Sequence, residues 1–205
     1  MKSLFVYILC ATVWPVAAVW RDGVVPTHGF IALDDGQAAR LPPEKNVYQC
    51  VKGRIHFRSD APLEIIEARS NRLRGVIDPT NQQFAWTVEI TTFEGFNSPL
   101  QREHFNENYM ESNKYTNATF TGKIIEKINF EQDGSYPVRA KGKLLIHGLE
   151  QERIIKGTLE VKGQKLRVQA SFSVPLTDHN ITVPKIVHQK IAEEITVTVD
   201  AELEK

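Results

Sequence analysis

Residues 84–90 read Phe-Ala-Trp-Thr-Val-Glu-Ile, a strict alternation of large apolar residues with small or polar ones. An extended strand turns successive side chains to opposite faces, so Phe84, Trp86, Val88 and Ile90 share one face and Ala85, Thr87 and Glu89 the other. The same code recurs outward from this stretch. Upstream, Ile55 and Phe57 flank His56. Downstream, Ala118, Phe120, Gly122 and Ile124 alternate, then Ala140, Gly142, Leu144 and Ile146. Leu166 to Val174 and Ile195 to Leu203 continue it. Asp78-Pro79-Thr80-Asn81, Asp133-Gly134-Ser135, Gly148 and Gly163-Gln164 supply turn signals between the runs, with residues 162–165 placed as a hairpin turn. The reading is an all-β, antiparallel protein of about eight strands.

Long, one-faced strands expose their edges unless the sheet closes on itself, which favours a barrel over a sandwich. At ~8 strands such a barrel is filled by side chains or holds one small ligand. Its inward set mixes large residues (Phe84, Trp86, Phe120, Phe172) with small ones (Ala118, Gly122, Gly142, Ala170), and the small ones are expected to leave room. Leu100 to Met110 lacks alternation. There Phe105, Tyr109 and Met110 fall at helical spacing, as one short helix, and residues 184–194 read as a second mixed connector.

The ends and the composition narrow the class. Lys2 precedes an uncharged apolar run from Leu4 to Val16, and Val16-Ala17-Ala18 ends it in small residues. That pattern is a secretory signal over residues 1–18, cut before Val19. Residues 19–46 are weakly patterned and read as an irregular arm, leaving 47–205 as the barrel domain. The mature chain keeps one cysteine, Cys50, which has no internal partner and reads as a half-buried strand residue. With 25 Lys+Arg against 25 Asp+Glu, nothing steers the chain toward nucleic acid. No second apolar stretch reaches the length of a membrane span.

Catalytic and metal motifs are absent. The six histidines stand singly, none at the spacing of a HExxH-type site, and there is no GxSxG, P-loop or GxGxxG element. Glu103-His104 is the one adjacent acid–histidine pair, and helical neighbours diverge by about 100°. Asn117-Ala118-Thr119 and Asn180-Ile181-Thr182 have the form of glycosylation sequons.

Residues 93–120 are the least ordinary stretch, gathering phenylalanines, Tyr109, Met110 and Tyr115 among charged and amide side chains. Within it, Leu100-Gln-Arg-Glu-His-Phe-Asn-Glu-Asn-Tyr-Met-Glu-Ser-Asn-Lys-Tyr-Thr-Asn-Ala-Thr-Phe120 resembles the signature of the YceI-like family. Gly142-Lys-Leu-Leu-Ile-His-Gly148 resembles that family's following strand. Thr116 stands where members usually carry Pro, and the usual Asp-x-x-His-Ser opening is not evident between Val47 and Phe57. The likeness covers roughly residues 50–203. It implies an eight-stranded, lipocalin-like barrel, a periplasmic or secreted address, and a polyisoprenoid or other long-chain lipid as partner.

The expected ligand-binding residues are Phe84, Trp86, Val88, Phe105, Tyr109, Met110, Phe120, Leu144 and Phe172, with no catalytic residue, metal or cofactor. A homodimer is left open. Three functions compete: a lipid carrier, an enzyme on an apolar substrate with Glu103 and His104 as acid–base candidates, and a structural protein with a filled barrel.

Overall fold

The structure, a computed structural model, describes residues 46–205. The leader over residues 1–18 and almost all of the arm over residues 19–46 therefore lie outside the described residues. Nine strands follow one another: β1 (Tyr48–Asp60), β2 (Ile65–Ser70), β3 (Arg74–Asp78), β4 (Gln83–Glu89), β5 (Asn117–Ile124), β6 (Gly134–Ile146), β7 (Leu149–Lys162), β8 (Lys165–Pro175) and β9 (Glu194–Glu204). β1 pairs antiparallel with both β2 and β3, each later strand from β3 to β9 pairs antiparallel with the next, and β9 pairs back onto β1, so the sheet closes.

The nine strands make eight staves. β1 pairs with β2 as Ile55↔Ser70 and with β3 as Tyr48↔Ile77, which is one uninterrupted register. β2 and β3 are thus a single stave broken over residues 71–73. The result is a closed, eight-stave antiparallel barrel with one short α-helix, as the alternation implies.

The helix α1 (Pro99–His104) starts where Ser98 caps it: the Ser98 hydroxyl accepts from the Gln101 amide at 3.2 Å, and Pro99 occupies the first turn. It runs on through a π-turn, Phe105–Tyr109, whose closing bond is Met110 N–H to the Phe105 carbonyl at 2.9 Å. The connector before β9 holds two short 3-10 turns, Leu176–His179 and Lys185–Val187.

One end of the barrel is closed by packing. Tyr48, Ile77, Leu159, Leu166 and Leu203 are almost wholly buried there, each from an inward position of its strand. Gly122 and Gly142 depart from expectation. They face each other across β5 and β6, and a Cβ on Gly122 would sit 2.1 Å from the Lys141 carbonyl oxygen. Their missing side chains let two backbones approach and leave no chamber behind them.

The ladder between β7 and β8 is incomplete. Only Gly157–Lys162 of β7 pairs with Lys165–Ala170 of β8. Toward the opposite end the two strands part, and the 3-10 turn Leu176–His179 fills the seam through side chains. Gln151 Nε2 donates to the Asp178 carbonyl at 2.7 Å, Arg153 pairs with the Asp178 carboxylate, and His179 Nδ1 meets the Leu149 carbonyl at 3.2 Å.

Candidate functional site: an apolar cavity at the helical end

The end of the barrel opposite the packed floor holds a cavity of about 480 Å³. Inward residues of the strands wall it: Ile55, Phe57 and Ser59 of β1, Val88 of β4, Ala118 of β5, Leu144 and Ile146 of β6, Phe172 and Val174 of β8, and Ile195 and Val197 of β9. The helical segment contributes Gln101, His104, Phe105, Tyr109 and Met110. The connector before β9 contributes Val187, Lys190 and Ile191. Besides Tyr109, only Ser59, Glu64, Gln101, His104 and Lys190 bring polar side-chain atoms to a wall that is otherwise hydrocarbon and aromatic. Burial raises the Tyr109 hydroxyl above the usual phenol range.

Four phenylalanines fasten the helical segment onto the barrel. Phe105 stacks on Phe57 at 5.2 Å between centroids and lies 5.1 Å from Phe96 and 5.8 Å from Phe93. Such offset contacts add specific attraction to the area they bury. The cluster explains why residues 93–110 carry more aromatic side chains than a surface connector needs.

A second cluster ties the end of this segment to the β6–β7 turn. His147 and Gly148 form that turn with φ of +50° and +75°, the left-handed pair a two-residue hairpin requires. His147 Nδ1 lies 3.0 Å from the His179 carbonyl oxygen and Nε2 lies 2.9 Å from a Glu111 carboxylate oxygen. Both partners are hydrogen-bond acceptors. The Tyr115 ring packs edge-on to His147 at 4.8 Å. His179 itself is fully buried, and that burial pushes its imidazole below the ordinary histidine value.

Of the nine residues expected to bind ligand, Val88, Phe105, Tyr109, Met110, Leu144 and Phe172 border the cavity. Phe84, Trp86 and Phe120 do not. Phe84 is buried in the main core against Phe120, 4.9 Å between centroids, and Trp86 packs on that core with its ring over Gly75. Alternation identifies the inward face of a strand but not the height along the barrel axis. These three sit nearer the packed floor.

Sequence reading missed Phe57, Phe93, Phe96 and the connector residues Val187 and Ile191. Phe57 carried a signal, sharing the alternating face of Ile55. Glu103 and His104 do not converge: His104 borders the cavity, whereas Glu103 lies beside Arg102 and Glu107 in a separate outer groove. Among the described residues, no three His, Cys, Asp or Glu side chains are grouped as metal ligands. Cys50 Sγ lies 3.5 Å from the Leu73 carbonyl, and burial raises its thiol.

A closed antiparallel barrel, packed at one end and apolar-walled beneath a helical segment at the other, defines a single-chamber barrel of the lipocalin-like class. The chain belongs to the YceI-like family, whose domain profile matches residues 52–203. Solved structures share the fold. A polyisoprenoid-binding domain from Saccharophagus degradans, implicated in plant cell wall breakdown, superposes with a TM-score of 0.64 at 14% identity, over 77% of this chain and 97% of that one. Burkholderia cenocepacia BcnA gives 0.61 at 14% identity, over 73% and 95%. The Campylobacter jejuni YceI protein gives 0.50 at 17%, over 63% and 77%. No curated protein matches the sequence.

Proposed function

We propose that this protein is an exported carrier that holds a polyisoprenoid or similar long apolar lipid in the barrel cavity. The observation that carries the reading is the cavity wall: about 480 Å³ enclosed almost wholly by apolar side chains. A pocket of that size and lining suits a single lipid chain. Each methylene moved from water into it contributes ~0.8 kcal/mol before ordering costs. The Saccharophagus domain, similar in fold, is described as polyisoprenoid-binding, which supports the same ligand class here.

Holding cargo requires no nucleophile or general base, in keeping with the divergence of Glu103 and His104. The apolar run at residues 4–16 and the small residues that end it support export, to the periplasm or beyond the cell. Solvent extraction of the purified protein, read by mass spectrometry, tests the carrier reading. A stoichiometric lipid is expected. A protein that yields none, and takes up none when supplied with isoprenoid alcohols, is not a carrier.

A further inference from the structure

Four of the large apolar side chains exposed among the described residues gather around the cavity mouth. Leu63 in the β1–β2 turn is 66% exposed, Ile65 beside it 45%, Leu100 on α1 56%, and Ile186 in the connector 92%. Hydrogen bonds place these three segments side by side. The Leu63 amide donates to the Gln189 carbonyl at 2.8 Å, Gln101 Nε2 donates to the Glu64 carboxylate, and Asn97 Nδ2 donates to the Ile65 carbonyl at 2.9 Å. At two of them the apolar surface runs over the lip: Ile66 and Val187 border the cavity while Ile65 and Ile186, their neighbours in sequence, face solvent.

We infer that this collar is a docking surface for a lipid bilayer, pressing the cavity mouth against the membrane that supplies or receives the cargo. The inference rests on the carrier reading for its purpose. Four Leu or Ile side chains at these exposures present on the order of 500 Å², a patch large enough to mark a contact site. The occupant is a bilayer because the apolar surface is continuous from the cavity over the lip at Ile65–Ile66 and Ile186–Val187, a path by which a lipid enters without crossing water. Lys185 and Lys190 on the connector are balanced in number by Glu193 and Glu194, close by in sequence. The attraction is therefore apolar and requires no anionic headgroup.

Cosedimentation of the purified protein with phosphatidylcholine vesicles tests this, using Ile186→Glu against Ile154→Glu. Ile154 is 57% exposed on the outer face of β7, away from the mouth, so the second variant carries the same new charge elsewhere. The expected result is vesicle binding that survives high salt, falls about tenfold or more in Ile186→Glu, and is unchanged in Ile154→Glu. Both sites are exposed, and an unchanged thermal midpoint will show that both variants fold.

The collar inference is overturned by equal binding of both variants, by binding confined to anionic vesicles and abolished by salt, or by a wild-type dimer that Ile186→Glu dissociates. Lipid content separates the two readings. A protein that yields lipid on extraction but ignores vesicles loses the collar and keeps the carrier role. One that yields and takes up no lipid loses the carrier role.

Discussion

His147 reaches from the β6–β7 turn to the backbone of His179, its Nδ1 3.0 Å from the carbonyl oxygen, while the His179 ring turns back to the Leu149 carbonyl at 3.2 Å. The two histidines are 32 residues apart in sequence. Together with Arg153 and Asp178 they secure the seam where β7 and β8 are not paired.

The His179 pair gives a signed pH dependence. Burial holds the folded imidazole below its unfolded value of about 6.5. The unfolded chain then binds the extra proton first, so stability present above about pH 6.5 is lost as pH falls from there through the folded value. Other groups that titrate over the same range add to the curve. The share of His179 is therefore read as a difference between proteins. Thermal midpoints measured from about pH 8 to about pH 5 should fall more for the wild type than for His179→Gln. At the upper pH the variant should be ~1–2 kcal/mol less stable, for a lost hydrogen bond and packing. Parallel curves would remove His179 from the account.

Ala118 and Trp86 separate cavity from core. Ala118 borders the cavity, so Ala118→Trp should fill empty space, hold the denaturant midpoint within ~1.5 kcal/mol and expel most co-purified lipid. Trp86 packs against Gly75 and the main core, so Trp86→Ala should cost about 3 kcal/mol and leave lipid in place. Denaturant curves and lipid extraction on the same two preparations check both. The reverse pattern would put the chamber lower in the barrel.

Gly122→Ala should be destabilising by ~1–3 kcal/mol or more, because the new methyl meets the Lys141 carbonyl of the neighbouring strand and backbone cannot swing aside as a side chain does. Chemical denaturation reads this directly. A neutral effect would mean that β5 and β6 separate there in solution.

Cys50 should react slowly with a thiol reagent at neutral pH, since burial raises the thiol and leaves less thiolate. Cys50→Ser should keep its lipid. Fast labelling of the native protein, or a folded variant without cargo, would contradict the placement on β1.

Much of the barrel was legible because period two is a strong signal: the runs quoted for it, from Ile55-His56-Phe57 to Ile195–Leu203, lie in strands, save Ile90, which opens the 3-10 turn after β4. The short strands β2 and β3 went unread, and so did the long strand β7. Its inward positions Gln151 and Arg153 are polar because they bind Asp178 across the seam, which erases the alternation over its first half. The site was legible by face and not by height, so Val88, Leu144 and Phe172 were separable from their neighbours on the outer face but not from Trp86 or Phe120. The Glu111–His147–His179 cluster was invisible as a cluster because tertiary pairing alone gathers residues so far apart in sequence. His147 lies inside the Gly142–Gly148 motif, and that was the available signal.

The unpaired stretch of β7 makes the barrel uneven in a way its closed topology hides. From Leu149 to Lys156 the strand is laddered to β6 on one side only, whereas Gly157 to Lys162 is laddered on both. In hydrogen–deuterium exchange, the amides of the first half that point away from β6 should trade their protons through small local openings, well before those of the second half, which need the sheet itself to part. The sheet can therefore open locally along this seam while the packed floor stays shut.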